Sequence, residues 1–248
     1  MTQSDRTPAW LVGLASWGEA EILRPLSGAR NRLYEITLDG RSCFARRSDR
    51  SAASLEWELA LLRMLASGGL AVPAPLSLPD GALSQDGVVV MPKIPGAPPD
   101  GSDDWHRVAE FLERLHDLTR DWPQRPDSAG AVDQPCAAGD VDLDQLPAVA
   151  RAACLDAWRS LAEEPTSVVH GDPHPGNILI DGDTVALLDW DEARVDASIL
   201  DIAALLAPQV NAPAWAGRAV DAWEVACSWR REPAYARERL AALQGDHC

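Results

Sequence analysis

The chain has 248 residues, 46% of them hydrophobic and 24% charged, a globular balance that suits one large domain or two modest lobes and excludes wholesale disorder. Its 38 acidic against 22 basic residues give a net charge of −16, which argues against a nucleic-acid partner, because such binding neutralises phosphates with Lys and Arg. Five cysteines (Cys43, Cys136, Cys154, Cys227, Cys248), odd in number and without CxxC spacing, read as reduced thiols rather than a disulfide framework or zinc site. The start, MTQSDRTPAW, lacks the pattern of a secretory signal, and no apolar run approaches the ~20 residues that span a bilayer. The expectation is a soluble, cytoplasmic protein with no membrane partner, whose acidic surface serves solubility or attracts a cationic substrate.

In chain order, residues 21–26 read as a strand ending in the turn-rich SGARN of 27–31. Residues 33–38 alternate in strand fashion, Asp39-Gly40 is a hairpin signal, and 42–47 form the return strand. Residues 54–66 carry apolar side chains at helical spacing, with Ser51 or Ser54 as N-cap and Gly68-Gly69 as the stop. A Pro-rich passage then predicts a second hairpin, turning at Asp80-Gly81 or Asp86-Gly87 before the run of 88–91. The passage MPKIPGAPP cannot be regular helix, since Pro removes donors and fixes φ, and it reads as a hinge over 92–99 between an N-terminal lobe (1–91) and a C-terminal lobe (100–248). Beyond it, 104–118 is an amphipathic helix with Val108, Phe111, Leu112 and Leu115 on one face. Residues 121–147 read as a long loop, its aspartates 133, 140, 142 and 144 solvated, and 148–161 as a helix. Short strands fill 168–191, and helices over 214–229 and 234–243 each follow a Pro. The fold class expected is α+β: a small antiparallel sheet lobe joined to a larger, mainly helical one.

The chemistry concentrates in VVHGDPHPGNILIDGDTVALLDWDEA, residues 168–193. Two apolar runs flank the turn Asp181-Gly182-Asp183, which predicts a β-hairpin. Asp172 and Asn177 stand before its first strand and Asp189 at the end of its second, so the hairpin brings all three polar groups to one end. Phosphoryl transfer from ATP needs this inventory: a carboxylate to accept the hydroxyl proton, and an amide with a second carboxylate to hold Mg²⁺ against phosphate oxygens.

At these residues the chain resembles the aminoglycoside phosphotransferase and choline kinase superfamily, relatives of the eukaryotic protein kinases. HGDPHPGN followed by LLDWDEA carries the resemblance, and Asp172 and Asn177 keep the D-x4-N spacing of the protein-kinase catalytic loop. The resemblance implies a two-lobed protein-kinase-like fold, ATP and Mg²⁺ as cofactors, and a small-molecule hydroxyl as acceptor. It assigns Asp172 as catalytic base and Asn177 and Asp189 as metal ligands. Asp196 and Asp201 look like the family's downstream aspartates, with Asp201 bracing the catalytic-loop backbone and His170 a second structural brace. In the N-terminal half Ser27, Gly28 and Asn31 resemble the nucleotide loop. Arg46, or Arg47 in its place, resembles the cation that reaches the α/β-phosphates, and Glu58 its helix partner. Val90, Met91 and Ile94 resemble the adenine-binding hinge. The similarity covers roughly residues 22–205. Asp191 and Glu192, just past Asp189, are expected to attract an ammonium group on the acceptor.

Two other functions compete. A catalytically silent nucleotide-binding protein of the same fold is favoured by the Arg at position 46, where a Lys is usual. A metallohydrolase would use His170-x-Asp172-x-His174 as ligand spacing, but only His106, His116 and His247 remain to complete it. His116 reads as a packed helix residue. The ten tryptophans, spread along the chain, read as core more than as a cage for a quaternary ammonium.

Overall fold

The structure, a computed structural model, describes residues 8–26, 32–205 and 212–245, so Ser27, Gly28 and Asn31 lie outside the described residues. The chain divides into two compact units, Met1–Pro95 and Gly96–Cys248. Its architecture is α+β, an antiparallel sheet in the first unit and mainly helices in the second. Among the described residues no helix is long and apolar enough to cross a membrane.

In the first unit a 3-10 segment, Ala9–Ser16, precedes strands β1 (Ala20–Leu26), β2 (Arg32–Leu38) and β3 (Arg41–Arg47), helix α1 (Ala52–Ser67) and strand β4 (Val88–Pro92). The strands form one antiparallel sheet in the order β1-β2-β3-β4. Asp39 (φ 48°) and Gly40 (φ 76°) close the β2–β3 hairpin with two left-handed residues, the geometry whose twist matches the flanking strands. Ser51 caps α1, its hydroxyl accepting the Ser54 N–H at 3.3 Å.

Side chains alternate across the sheet. Cys43, Ala45, Val88 and Val90 meet Leu11, Leu14, Trp17 and Ile36 on one face, while Val89 and Met91 meet Leu55 and Leu59 of α1 on the other. Truncating one of these buried leucines to Ala would cost roughly 2–5 kcal/mol.

The expected second hairpin is half present. Asp86 (φ 51°) and Gly87 (φ 75°) do make the turn, but its first arm is a single bridging pair, Gln85 with Val88, not a strand. Pro73, Pro75 and Pro79 deny the preceding segment the donors a ladder needs, and it touches β4 through the Leu76 N–H to Val90 O bond at 2.8 Å.

The second unit contains α2 (Ser102–Leu118), the two-residue strands β5 (Ala137–Ala138) and β6 (Val141–Asp142), and α3 (Ala148–Trp158). It continues with β7 (Thr166–Val169), β8 (Ile178–Asp181), β9 (Thr184–Leu187), β10 (Arg194–Ala197), α4 (Ile199–Ala204), α5 (Ala214–Ser228) and α6 (Pro233–Gly245). β7 pairs antiparallel with β10, and β8 with β9 across Gly182. The core gathers around Trp158 and Trp223, whose ring centroids lie 6.1 Å apart.

The long loop of 121–147 keeps its Asp133 and Asp144 exposed, as expected, but some of its apolar residues are buried. Ala131, Val141, Leu143 and Leu146 are buried in that core, and the β5–β6 ladder holds them there. Of its aspartates, Asp140 pairs with Arg231 at 3.0 Å, Asp144 pairs with Arg151 at 2.8 Å, and Asp133 accepts the Gly130 N–H. Strand β10 was not signalled, because ARVDASILDIAAL has a Ser and an Asp where apolar alternation would be looked for.

Candidate active site

β7 is buried at Ser167, Val168 and Val169 and delivers His170, fully buried, to the interior. The His170 ring spans a gap: Nε2 donates to Leu188 O at 2.7 Å, and Nδ1 accepts the Asp172 N–H at 3.3 Å. Its ring meets Trp190 edge-on, centroids 4.8 Å apart. Gly171 follows at φ +89°, where a Cβ would sit 2.8 Å from Glu192 O and 2.9 Å from Arg194 Nη1. The chain therefore turns sharply and presents Asp172, partly exposed, on the surface of this unit.

Asp201, in α4, ties the turn from behind. Its carboxylate accepts the His170 N–H at 2.7 Å and the Gly171 N–H at 2.9 Å, and His116 of α2 reaches the same carboxylate at 3.1 Å. Burial pushes the Asp201 carboxyl up. The hydrogen bond and charge of His116, the charge of His170 and the Gly171 N–H outweigh that and hold it below the ordinary carboxylate range.

The hairpin geometry does the rest. Asn177 closes a 3-10 turn capped by His174, and the Leu188 N–H donates to Asn177 O at 2.8 Å, so the ends of β8 and β9 are locked together. Asn177 Nδ2 donates to both Asp172 O and Asp172 Oδ2, each at 3.0 Å. Asp189 stands one residue past Leu188, exposed, with left-handed backbone (φ 56°, ψ 75°) at the start of the turn Trp190–Glu192. Burial pushes the Asp172 carboxyl up, and the Glu192 and Asp189 charges add to it, while His174 and His170 pull it down.

His170, Asp172, Asn177, Asp189, Glu192 and Asp201 thus meet in one place. Asp191 is buried, with its carbonyl accepting from Arg125 at 2.9 Å, whereas Glu192 is partly exposed. Asp196, also buried, accepts the Ala131 and Val132 N–H groups and pairs with Arg194. Its place is structural.

In the first unit Arg46 lies on the α1 face of the sheet and forms a buried ion pair with Glu58. Arg47, one residue on, faces the opposite side by strand alternation. Val90 and Met91 spend their side chains on the two cores and stand in the β3–β4 ladder, the Val90 carbonyl accepts the Leu76 N–H, and Ile94 lies just past β4.

Some residues of the site were not foreseen. His116, expected only to pack, holds Asp201; its place on the buried stripe of α2 signals that a polar ring there must find a partner. Glu224 of α5 lines a small cleft with Gly171, Arg194 and Trp223. Burial raises its carboxyl while a Tyr235 hydrogen bond lowers it, and the charge of Asp172 raises it further.

The donor set suits a hard divalent cation. With Asn177 Nδ2 committed to Asp172, its Oδ1 and the Asp189 carboxylate are two oxygen-bearing groups, the small protein share that Mg²⁺ takes when phosphates and water complete its shell. Both ring nitrogens of His170 are engaged, and among the described residues no three His, Cys, Asp or Glu side chains are placed so that they could hold one metal ion between them.

Comparison with known proteins bears on the fold and the family. Among solved structures, an aminoglycoside phosphotransferase, APH(4)-Ia, in a ternary complex with ADP and hygromycin B, superposes with a TM-score of 0.66 at 17% identity, covering 96% of this chain and 98% of that one. The amicoumacin kinase hAmiN, in complex with AMP-PNP, Ca²⁺ and Ami, gives 0.64 at 19% identity over 94% and 75%. The choline kinase LicA from Streptococcus pneumoniae gives 0.60 at 16% identity over 90% and 92%. No curated protein matches the chain in a sequence search. The profile of the Phosphotransferase enzyme family (APH) matches residues 21–242, nearly the whole chain, and the protein belongs to that family as a small-molecule kinase.

Proposed function

We propose that this enzyme transfers the γ-phosphoryl group of ATP to a hydroxyl of a small, amine-bearing acceptor. The observation that carries the reading is the meeting of Asp172, Asn177 and Asp189 at one end of the β8–β9 hairpin. Asp172 accepts the proton of the acceptor hydroxyl, the acceptor oxygen forms a bond to the γ-phosphorus, and the bond from that phosphorus to the bridging oxygen breaks as ADP leaves. Asn177 Oδ1 and Asp189 would hold Mg²⁺, which when bound neutralises phosphate charge. Arg46, steadied by Glu58, is the cation assigned to the nucleotide phosphates.

The amine is supported by charge. Glu192 is partly exposed, and its charge and that of Asp189 act on the Asp172 carboxylate, against which the His174 ring stands at 3.7 Å. A carboxylate there favours an ammonium over a neutral sugar or an acid, and charge steering weakens with salt. The names of the similar structures include antibiotic and choline kinases.

An ADP-release assay over a panel of amino alcohols, aminoglycosides, neutral sugars and carboxylic acids tests both parts. Turnover requiring Mg²⁺, strongest with an amine and falling as salt rises, is expected. Nucleotide binding with no turnover on any acceptor would make the protein a silent nucleotide binder. A neutral sugar as best acceptor would overturn the amine alone.

A further inference from the structure

The segment of 121–126 has no helix or strand, yet it places Arg125 at 3% exposure. Arg125 Nη1 donates to three backbone carbonyls, Trp190 at 3.2 Å, Asp191 at 2.9 Å and Ala193 at 3.1 Å. These carbonyls belong to the short turn that begins at Asp189 and carries Glu192. Three carbonyl dipoles converging on one buried point repel one another, and a guanidinium at that point satisfies them together. Next to it, Gln124 grips β10 with both ends of its amide, Nε2 to Val195 O at 2.8 Å and the Val195 N–H to Oε1 at 2.9 Å. Gln124 Oε1 also accepts the Arg125 N–H at 2.8 Å, so Gln124 holds the strand and the Arg125 backbone, while the Arg125 guanidinium holds the turn.

The turn decides where Asp189 points. Asp189 has left-handed backbone (φ 56°), a conformation that persists only when the surroundings over-determine it. The Trp190 carbonyl is one peptide on from Asp189, so a donor fixed on it restrains the backbone that carries the Asp189 carboxylate. We propose that Arg125 is a positioning residue: by gathering the carbonyls of Trp190, Asp191 and Ala193, it sets the direction of the Asp189 carboxylate and with it the affinity for the divalent cation. This rests on the phosphotransfer reading above, in which Asp189 is a metal ligand. Lys keeps the charge and three donors on one nitrogen, but its shorter, flexible stem holds the three carbonyls less firmly.

The test measures binding of a fluorescent ATP analogue to the full chain as Mg²⁺ is titrated, with an EDTA baseline and a melting curve for each variant. For Arg125→Met the Mg²⁺ concentration at half-saturation rises about tenfold, the scale seen when a partner behind a metal ligand is lost. Arg125→Lys falls between it and wild type, and binding in EDTA is unchanged in both. Gln124→Leu lowers the melting temperature but leaves the guanidinium in place, so it moves the Mg²⁺ half-saturation less than either Arg125 variant. Wild-type half-saturation in both Arg125 variants, or an equal shift in Gln124→Leu, overturns the positioning role. If Arg125→Met does not fold, the comparison of Arg125→Lys with Gln124→Leu decides alone. A wild-type protein whose nucleotide binding ignores Mg²⁺ would instead overturn the phosphotransfer reading itself, and the two failures cannot be confused.

Discussion

A single amide nitrogen, Asn177 Nδ2, lies 3.0 Å from both the backbone carbonyl and the carboxylate of Asp172. The proposed base is therefore held from two sides by the residue proposed to bind metal. Replacing Asp172 with Asn removes the proton acceptor but not the oxygen that Asn177 holds. Turnover should fall about 10²–10⁴-fold, with nucleotide affinity kept. Steady-state kinetics beside equilibrium nucleotide binding checks this, and wild-type turnover would remove Asp172 from the chemistry.

The raised Asp172 carboxyl has a pH signature. Burial and the Glu192 charge disfavour its ionised form. Because the base works deprotonated, kcat/KM should climb with pH through a value above the ordinary carboxylate range, near 3.9. Glu192→Gln deletes one raising charge, so the acidic limb should move to lower pH. The same shift makes Asp172 a liability to folding: the folded state binds the proton more tightly than the unfolded, and stability declines as pH rises through that window. Asp172→Asn should consequently melt no lower than wild type at neutral pH. A limb that ignores Glu192→Gln would contradict the assignment.

The ion pair of Arg46 with Glu58 separates structure from binding. Both side chains are buried, so Glu58→Ala should cost roughly 3–5 kcal/mol by taking a charged partner from the buried Arg46. The double variant Arg46→Met/Glu58→Leu should recover most of that stability in denaturant unfolding, since apolar pairs of similar volume replace buried ion pairs well. It should not recover affinity for ATP. Full affinity in the double variant would leave Arg46 with a packing role only.

Asp201→Ala should be costly for a different reason. It strands the His170 and Gly171 N–H groups and the His116 ring, at roughly 1–3 kcal/mol for each buried donor left unpaired. Asp201 is held below the ordinary carboxylate range, so its contribution is complete above the unfolded-state value and is lost as pH falls through the folded-state value. Wild type should thus lose stability faster than Asp201→Ala on acidification. Parallel melting curves against pH would count against the brace.

Much of this was legible in the sequence where local patterns decide the outcome. The hairpin turns Asp39-Gly40 and Asp181–Asp183, the α1 cap at Ser51 and the apolar stripe of α2 rest on contacts within a few residues, and each formed as the pattern indicates. The D-x4-N spacing and the hairpin together brought Asp172, Asn177 and Asp189 to one place, since a β-hairpin fixes what lies opposite what. The illegible parts depend on distant partners. Arg125 finds its role 65 residues away, and His116 finds Asp201 at a separation of 85, beyond any local period. Val141 and Leu143 sit among Pro, Gly and Asp that mask their burial, and Asp191 and Glu192 look alike in sequence although only one is buried.

The alternation along β4 has a consequence for how this chain tolerates change in length. Val88 and Val90 serve one core and Val89 and Met91 the other, while Arg46, paired with Val89 in the ladder, meets α1. Slipping β3 or β4 by one residue would exchange the contents of both cores and turn Arg46 away from Glu58 at once. A misaligned sheet therefore has no partly satisfied form in which to linger, so the register proofreads itself during folding. Within this sheet an added residue should be tolerated best in the turns at Asp39-Gly40 and Asp86-Gly87, where it leaves the strands in phase.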